Sequence, residues 1–541
     1  MATSTSAPSM ESTLPSEPTV PLDETPVPDS AAPPDNDSDV VLRVRDLKTY
    51  FFTYDGVVKA LDGVNLRIRK GQTTGLVGET GCGKSVTAFS ITRVIPDPPG
   101  RIIGGEVLFE GADLLWGLDK EARFTPIPKT NRVKIRRSFH RIRQATERMA
   151  AVRGRGIAMI FQEPTQAMNP IFTISNQIGE TLLLHRGTQI IDGLMAADPN
   201  GPEVPAALDA LREAALRGKS GDVRRASDGV GAAVHLPSFG AQAYAIARAA
   251  GREADEARSD IEAAMHQLRL SGLQRAYLAH RRREMELVNR LDEVYMAEMR
   301  EGESKGGARR SLKRRLAFER WSHFYFNLWG IRSHAKRPLE RETFWRSVQL
   351  LEGMSIANPV QVARGYPFEL SGGMLQRVMI AMALSAEPKV LLADEPTTAL
   401  DVTIQAQILE LMRELRARAG TAILLITHDL AVIAEVADRV CVMYAGTIVE
   451  EGSVHEIFRR PLHPYTQGLL ASIPRLDRPN QEFSSIPGSV PNLIFPPSGC
   501  RFHPRCPHAM PICSGERPPV TLEGEDHAVA CYLYHGPVRA D

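Results

Sequence analysis

The chain has 541 residues, and its 65 Lys plus Arg against 64 Asp plus Glu leave a formal net charge of +1. That balance gives no electrostatic reason to expect a nucleic-acid partner, while 43% hydrophobic residues is enough for a sizeable core in two or three globular units. No apolar run reaches the roughly 20 residues that cross a bilayer, and the start lacks the basic and apolar regions of a secretory signal, so a cytoplasmic location is expected.

Residues 1–39 are rich in Pro, Ser, Thr and Asp, have little to bury, and read as a disordered tail. VVLRVRDLKTYFF (40–52) and ALDGVNLRIRKG (60–71) alternate as half-buried strands do, and the apolar strand TTGLVG (73–78) ends at a glycine turn. There the strongest signal begins. Gly78, Glu79, Thr80, Gly81, Cys82, Gly83, Lys84 and Ser85 form a complete GxxxxGK[ST] loop between that strand and a predicted helix, VTAFSITRVI. Its glycines let backbone amides curl around phosphate oxygens, Lys84 can reach the β and γ phosphates, and Ser85 can ligate magnesium. A chance glycine turn is disfavoured by the strand-loop-helix context.

Residues 129–155 hold ten Lys or Arg against one acid, Glu147. They read as a solvated basic helix or loop, with anionic lipid headgroups or a partner protein as the functional alternatives. From about 187 to 350, loop-like stretches such as GKSGDVRRASDGVGAAV alternate with charged helical ones such as RRREMELVNRLDEVYMAEMR. No apolar heptad is sustained, so the stretch reads as an inserted helical subdomain with surface loops and not as a coiled coil. A second apolar strand, VLLADEP, ends in Asp394, placed for magnesium, and Glu395, placed to polarise attacking water; a third, TAILLITHD, delivers His428.

With LSGGMLQ at 370–376, the set resembles the ATP-binding cassette (ABC) ATPases, because the other family elements occur in the expected order. Gln162 in MIFQEP matches the glutamine loop, Asp401 in TALD the loop after the catalytic glutamate, and His428 the switch histidine. The resemblance implies an α/β fold: a RecA-like P-loop ATPase core, an antiparallel β subdomain, an enlarged helical subdomain and a Cys-rich carboxyl-terminal extension. It implies catalysis by Glu395, His428 and Gln162, and magnesium held by Ser85, Gln162 and Asp394. It also implies a head-to-tail pair in which the signature residues Ser371, Gly372, Gly373 and Gln376 serve the nucleotide on the opposite phosphate loop, with Asp401 nearby. Adenine is expected to stack on an aromatic upstream of the loop; Phe52 is the choice in KTYFFTYDG, with Tyr50 and Tyr54 as competitors that ring chemistry does not separate.

Four of the six cysteines crowd the end as C-x5-C-x6-C-x17-C: Cys500, Cys506, Cys513 and Cys531. Spacing alone permits zinc, an iron-sulfur cluster or two disulfides; thiolates favour soft metals and a reducing compartment disfavours disulfides. GCRFHPRCPHAMPICSGERPPV, followed by HAVACY and preceded by PLHPYTQGLLASIP, resembles the extension of oligopeptide and dipeptide importer ATPases, which implies a [4Fe-4S] cluster on those four residues. Cys82 and Cys441 read as packing residues.

Gln162 and Ser371 lie 209 residues apart, far more than the resemblance leads one to expect. The expected organisation is therefore a tail at 1–39, an ABC ATPase domain at 40–460 with insertions near 116–150 and 187–350, and the transporter extension at 461–541. The larger insertion reads as a passive surface elaboration, a docking addition or a clamp on the permeases, the first being favoured. The expected function is the ATP-hydrolysing subunit of an importer of peptides or related small solutes, peripheral at the cytoplasmic face of the cell membrane. Its expected partners are a second, nonidentical ATPase subunit, two permease subunits and an extracellular solute-binding protein, with no nucleic acid. The alternatives are a soluble cassette in translation or DNA repair, and a regulatory module sensing metal or redox state.

Overall fold

A computed structural model describes residues 39–126, 133–251, 253–322, 331–398, 401–472, 486–524 and 526–535, so nearly all of the expected tail lies outside the described residues. The alternating segments form β1 (Val40–Phe52) and β2 (Val57–Arg69), and the apolar run forms β3 (Thr73–Val77), which leads into α1 (Lys84–Ile91). β4 (Gly100–Phe109) and the short β5 (Ala112–Asp113) complete an antiparallel sheet of order β2-β1-β4-β5. A hairpin of β6 (Ala122–Pro126) and β7 (Val133–Arg137) and the helix α2 (Phe139–Ala150) follow, before β8 (Ile157–Ile160).

The main sheet is assembled from distant parts of the chain. β8, β9 (Val390–Asp394), β10 (Ala422–Ile426), β3 and β11 (Arg439–Tyr444) run parallel as neighbours, and every residue of β3, β9, β10 and β11 is buried. Continuous apolar strands of this kind fit a sheet covered on both faces. Beyond β11 the sheet turns antiparallel through β12 (Thr447–Ser453), and β14 (Ala528–Val529) and β13 (Thr521–Leu522) extend it from the carboxyl-terminal region. One hydrophobic cluster joins Leu76, Ile91, Leu392 and Leu424 to Leu42, Leu66 and Val107 of the antiparallel sheet; another lies under the helices.

The basic segment is only partly solvated. Arg141 and Arg143 are exposed, but Arg148 is buried with its guanidinium 4.6 Å from the Trp116 ring, and Arg153 donates to the carbonyls of Thr92 (2.9 Å) and Arg93 (2.8 Å). Those carbonyls lie at the end of α1, where a helix leaves acceptors without internal partners.

After the short α3 (Pro164–Ala167), α4 (Ile174–Ala196) carries the chain into the large insertion. It contains α5 (Val204–Arg217), α6 (Ser220–Ala233), α7 (Pro237–Ala250), α8 (Ala254–His266), α9 (Gly272–Glu301) and α10 (Gly306–Ser322), and the helix Ile331–Gly353 returns against α4. GKSGDVRRASDGVGAAV, expected as loop, is largely α6. Its low helix propensity is overridden by packing: Val223, Ser227, Val230 and Gly231 share a buried face, and a Cβ on Gly231 would lie 2.7 Å from the backbone nitrogen of Gly240 in α7. The insertion shares buried apolar contacts with the cassette. Ile190 and Leu194 of α4, Phe239 of α7 and Leu278 of α9 belong to the same buried cluster as Leu375 and Val378 beside the signature and Leu391 of β9.

Candidate nucleotide site

Two of the three glycines of the phosphate loop, Gly78 and Gly83, have little room for a side chain. Gly78 has φ +155° and its Cβ would meet the Met443 carbonyl oxygen at 2.2 Å; Gly83 has φ +106° and its Cβ would meet the Ala60 carbonyl oxygen at 2.7 Å. Gly81, at φ +81°, faces open space, and Thr80 beside it is exposed. Cys82 is buried beneath the loop. Lys84 is folded back so that Nζ donates to the carbonyls of Gly78 (2.8 Å) and Glu79 (3.0 Å), leaving an ammonium at the mouth of the loop.

Ser85 Oγ donates to Asp394 Oδ1 at 3.0 Å, joining the start of α1 to the end of β9. Asp394 is wholly buried, and among the described residues its Oδ2 has no hydrogen-bond partner. Burial pushes its carboxyl up to about 6, the Glu395 charge adds to the rise, and Ser85 and Lys84 offset only part of it. A buried carboxylate beside a loop hydroxyl is an oxygen donor set of the kind that would hold magnesium.

Glu395 is the point on which the other side chains converge. Gln162 Nε2 donates to Oε2 at 2.8 Å, Thr398 Oγ1 donates to Oε2 at 3.0 Å, and His428 Nδ1 lies 3.0 Å from Oε1. Its own backbone N–H donates to the Ile426 carbonyl at 2.8 Å, fixing it between β9 and β10. Burial opposes its charge, but the hydrogen bonds from His428 and Thr398 outweigh that and hold the carboxyl below its ordinary range. It is therefore a carboxylate at neutral pH, able to accept a proton from water. Gln162 joins this base and not the Ser85–Asp394 pair with which it was expected to share the metal. Thr398 escaped the sequence reading, since a threonine three residues past the glutamate carries no signal of its own.

The signature stands apart from this centre. Ser371 caps the helix Gly372–Ser385, its Oγ accepting the Met374 N–H at 3.4 Å, and Ser371 and Gly372 are exposed. Among the described residues, no hydrogen bond or ion pair joins them or Gly373 to the phosphate loop. Gln376 corrects the expectation of a nucleotide contact: it is 2% exposed and donates to the Pro396 carbonyl at 2.8 Å, bracing the signature helix against the segment after Glu395. Asp401 is exposed and caps the helix Val402–Ala419 through the Ile404 N–H at 3.0 Å. Of the three aromatics, the Tyr50 hydroxyl is committed to Asp62 Oδ1 at 2.8 Å, Phe52 is half-buried at the end of β1, and Tyr54 is 84% exposed.

Cys500, Cys506, Cys513 and Cys531 are free thiols that line one small cavity, together with His463, Phe502 and Tyr532. Burial pushes the Cys500 thiol up to about 11, with Cys513, Cys531 and Cys506 adding to the rise. The donor set suits a soft metal, but among the described residues no three Cys, His, Asp or Glu form a group drawn close enough to hold one. The cavity gathers the ligands expected for the cluster without arranging them around an ion. No helix among the described residues is long and apolar enough to cross a membrane.

A family model described as "ABC transporter" matches residues 61–285 and 312–398, and one described as "Oligopeptide/dipeptide transporter, C-terminal region" matches 449–513. The oligopeptide transport ATP-binding protein OppD of Bacillus subtilis is 34% identical, over 92% of this chain and 89% of that protein. From the same organism, the oligopeptide transport ATP-binding protein AppD is 32% identical over 91% of this chain and 97% of that protein. Its dipeptide transport ATP-binding protein DppD is 31% identical over 91% and 94% respectively.

Proposed function

The chain belongs to the ABC transporter family, and from that premise we propose that it is the ATP-hydrolysing subunit that powers import of peptides or related small solutes. The observation that carries the catalytic half of the reading is the convergence of Gln162, Thr398 and His428 on the Glu395 carboxylate. The transport half is supported by the transporter-type extension and by relatives named for oligopeptide and dipeptide transport.

ATP would be held by loop amides between Gly78 and Ser85 other than that of Glu79, which Tyr465 already engages, and by Lys84, which would exchange its two loop carbonyls for phosphate oxygens. Ser85 and Asp394 would hold magnesium, which would supply charge neutralisation of the phosphates. Glu395 takes a proton from water as that water's oxygen forms a bond to the γ-phosphorus and the bond to the bridging oxygen of ADP breaks. Gln162, Thr398 and His428 keep the carboxylate aimed for that step, and His428 and Thr398 keep it ionised. The helix start at Ser371–Gly372–Gly373, exposed at its first two residues, offers amides to a γ-phosphate held by another cassette, so turnover requires a pair. Closure of the pair, relayed to two permease subunits, drives exchange of access, and a solute-binding protein delivers the cargo.

The pairing we favour is with a nonidentical ATPase subunit, at the cytoplasmic face of the membrane. Cys500, Cys506, Cys513 and Cys531 would be the ligands of a [4Fe-4S] cluster, the reading that the resemblance of the extension suggests; iron and sulfide content of the purified chain tests this. Glu395→Gln is expected to retain ATP binding, stabilise the closed pair and lower hydrolysis by at least a hundredfold. Unchanged turnover by the variant, assayed with its partner subunits in membranes, would exclude Glu395 as the base.

A further inference from the structure

Glu79 is an acid inside a loop built for polyphosphate, and every polar group it carries is occupied. Its carboxylate receives a fork from Arg505, Nη1 to Oε2 at 2.7 Å and Nη2 to Oε1 at 3.0 Å. Its N–H donates to the Tyr465 hydroxyl oxygen at 2.9 Å, and its carbonyl accepts from Lys84 Nζ at 3.0 Å and from the Cys82 N–H at 3.3 Å. The two partners from outside the loop belong to the carboxyl-terminal region, and Arg505 immediately precedes Cys506. Its side chain is 6% exposed and lies over the Tyr444 and Phe502 rings.

A second arm starts beside Cys500. Arg501 is buried, and it donates to the Ala445 carbonyl and to Asp62 Oδ2. The next residue, Gly446, donates its N–H to the Cys82 carbonyl at 2.8 Å and accepts the Asp62 N–H at 3.0 Å. Between the arms, Phe502 packs against Tyr444 and Tyr465, with ring centroids 5.1 and 5.4 Å away. The cysteine cavity and the phosphate loop are thus joined by a continuous series of contacts whose anchors are chain neighbours of Cys500 and Cys506.

We propose that Arg505 and Tyr465 are positioning residues through which the four-cysteine lobe sets the affinity of the phosphate loop for nucleotide. Arg505 does so by neutralising Glu79, whose carboxylate would otherwise repel the triphosphate, and Tyr465 by fixing the Glu79 amide. Bidentate pairing with a planar guanidinium gives orientation as well as charge, which a lysine supplies less well. Loosening the lobe at a cysteine acts through the same two contacts. The inference rests on the nucleotide reading of the Gly78–Ser85 loop.

The test is equilibrium binding of a fluorescent ATP analogue with magnesium to the full chain, alongside its iron, zinc and sulfide content. Arg505→Gln is expected to weaken binding about tenfold, Arg505→Lys to recover part of that loss, and Tyr465→Phe, which removes a single oxygen, to weaken it severalfold. Cys531→Ser, distant in sequence from the arginine, is expected to weaken binding in the unaltered background and to add little in the Arg505→Gln background. Wild-type affinity in both Arg505→Gln and Tyr465→Phe, or fully multiplicative effects of Arg505→Gln and Cys531→Ser, overturns the proposal. Absence of binding by the unaltered chain overturns the nucleotide reading with it. Metal content that is low in every chain refutes the cluster assignment alone, since the double-variant comparison reads the lobe itself.

Discussion

Asp394 places a functional charge where folding disfavours it, and the size of that conflict can be worked out. Its carboxyl sits at about 6 in the fold against an ordinary 3.8, a difference equivalent to about 3 kcal/mol in favour of the neutral form. Between those values the native chain binds more protons than the unfolded one, so this residue makes stability fall as pH rises from about 4 to about 6. Above 6 the full cost is present, and below 4 it is absent. Asp394→Asn removes the charge and keeps an oxygen to accept from Ser85, but leaves its amide in the unpartnered Oδ2 position, a loss of about 1 kcal/mol. The expected net gain at pH 7.5, without magnesium or nucleotide, is therefore about 2 kcal/mol. About 1 kcal/mol moves a unit of 150–250 residues by roughly 2–4 °C, so scanning calorimetry on both chains should show a rise of several degrees at pH 7.5. The gain should vanish near pH 4.5, and magnesium with nucleotide should stabilise only the unaltered chain. An unchanged or lower Tm for Asp394→Asn at pH 7.5, or a gain of the same size at both pH values, would refute the reasoning.

The insertion offers two further tests. Gly231→Val drives side-chain atoms into the Gly240 backbone and should cost about 1–3 kcal/mol, seen as faster proteolysis of residues 204–266; Gly229→Ala, with nothing within 4 Å of its Cβ, should stabilise the same helix by up to about 1 kcal/mol. Equal protease sensitivity in the two variants would contradict the α6–α7 contact. Arg309→Ala leaves the fully buried Glu298, paired with it at 3.0 Å, without that cation, at a cost of about 3 kcal/mol by chemical denaturation; adding Glu298→Gln should restore much of the loss. No recovery in the double variant would mean the arginine acts through packing alone.

What the sequence made legible follows from where the information is local. β1 and β3, the phosphate loop and the Asp394–Glu395 pair are written in short contiguous runs whose period or spacing has a direct physical reading. The meeting of Gln162 with Glu395 was legible only through resemblance, because 233 positions separate them. α6 was misread because Gly, Ser and Asp lower helix propensity, while the close approach of Gly231 to Gly240 that compensates is a tertiary fact. The resemblance groups Gln376 with the nucleotide-binding residues of the signature, though the helix turns it toward Pro396. The Arg505–Glu79 pair spans 426 positions; its one local hint is a carboxylate in a loop meant for anions.

The order of strands in the main sheet bears on how the chain is made. β3, at the heart of the site, is flanked by β10 and β11, and its pairing of Thr73 with Ile423 bridges 350 positions. At 5–20 residues per second, a ribosome needs about 20–70 s to deliver those neighbours after β3 has emerged. Throughout that interval an apolar five-residue strand has neither edge paired, while the whole inserted helical lobe is synthesised ahead of its partners. Slowing translation downstream of the insertion would lengthen the interval before β3 can gain these neighbours.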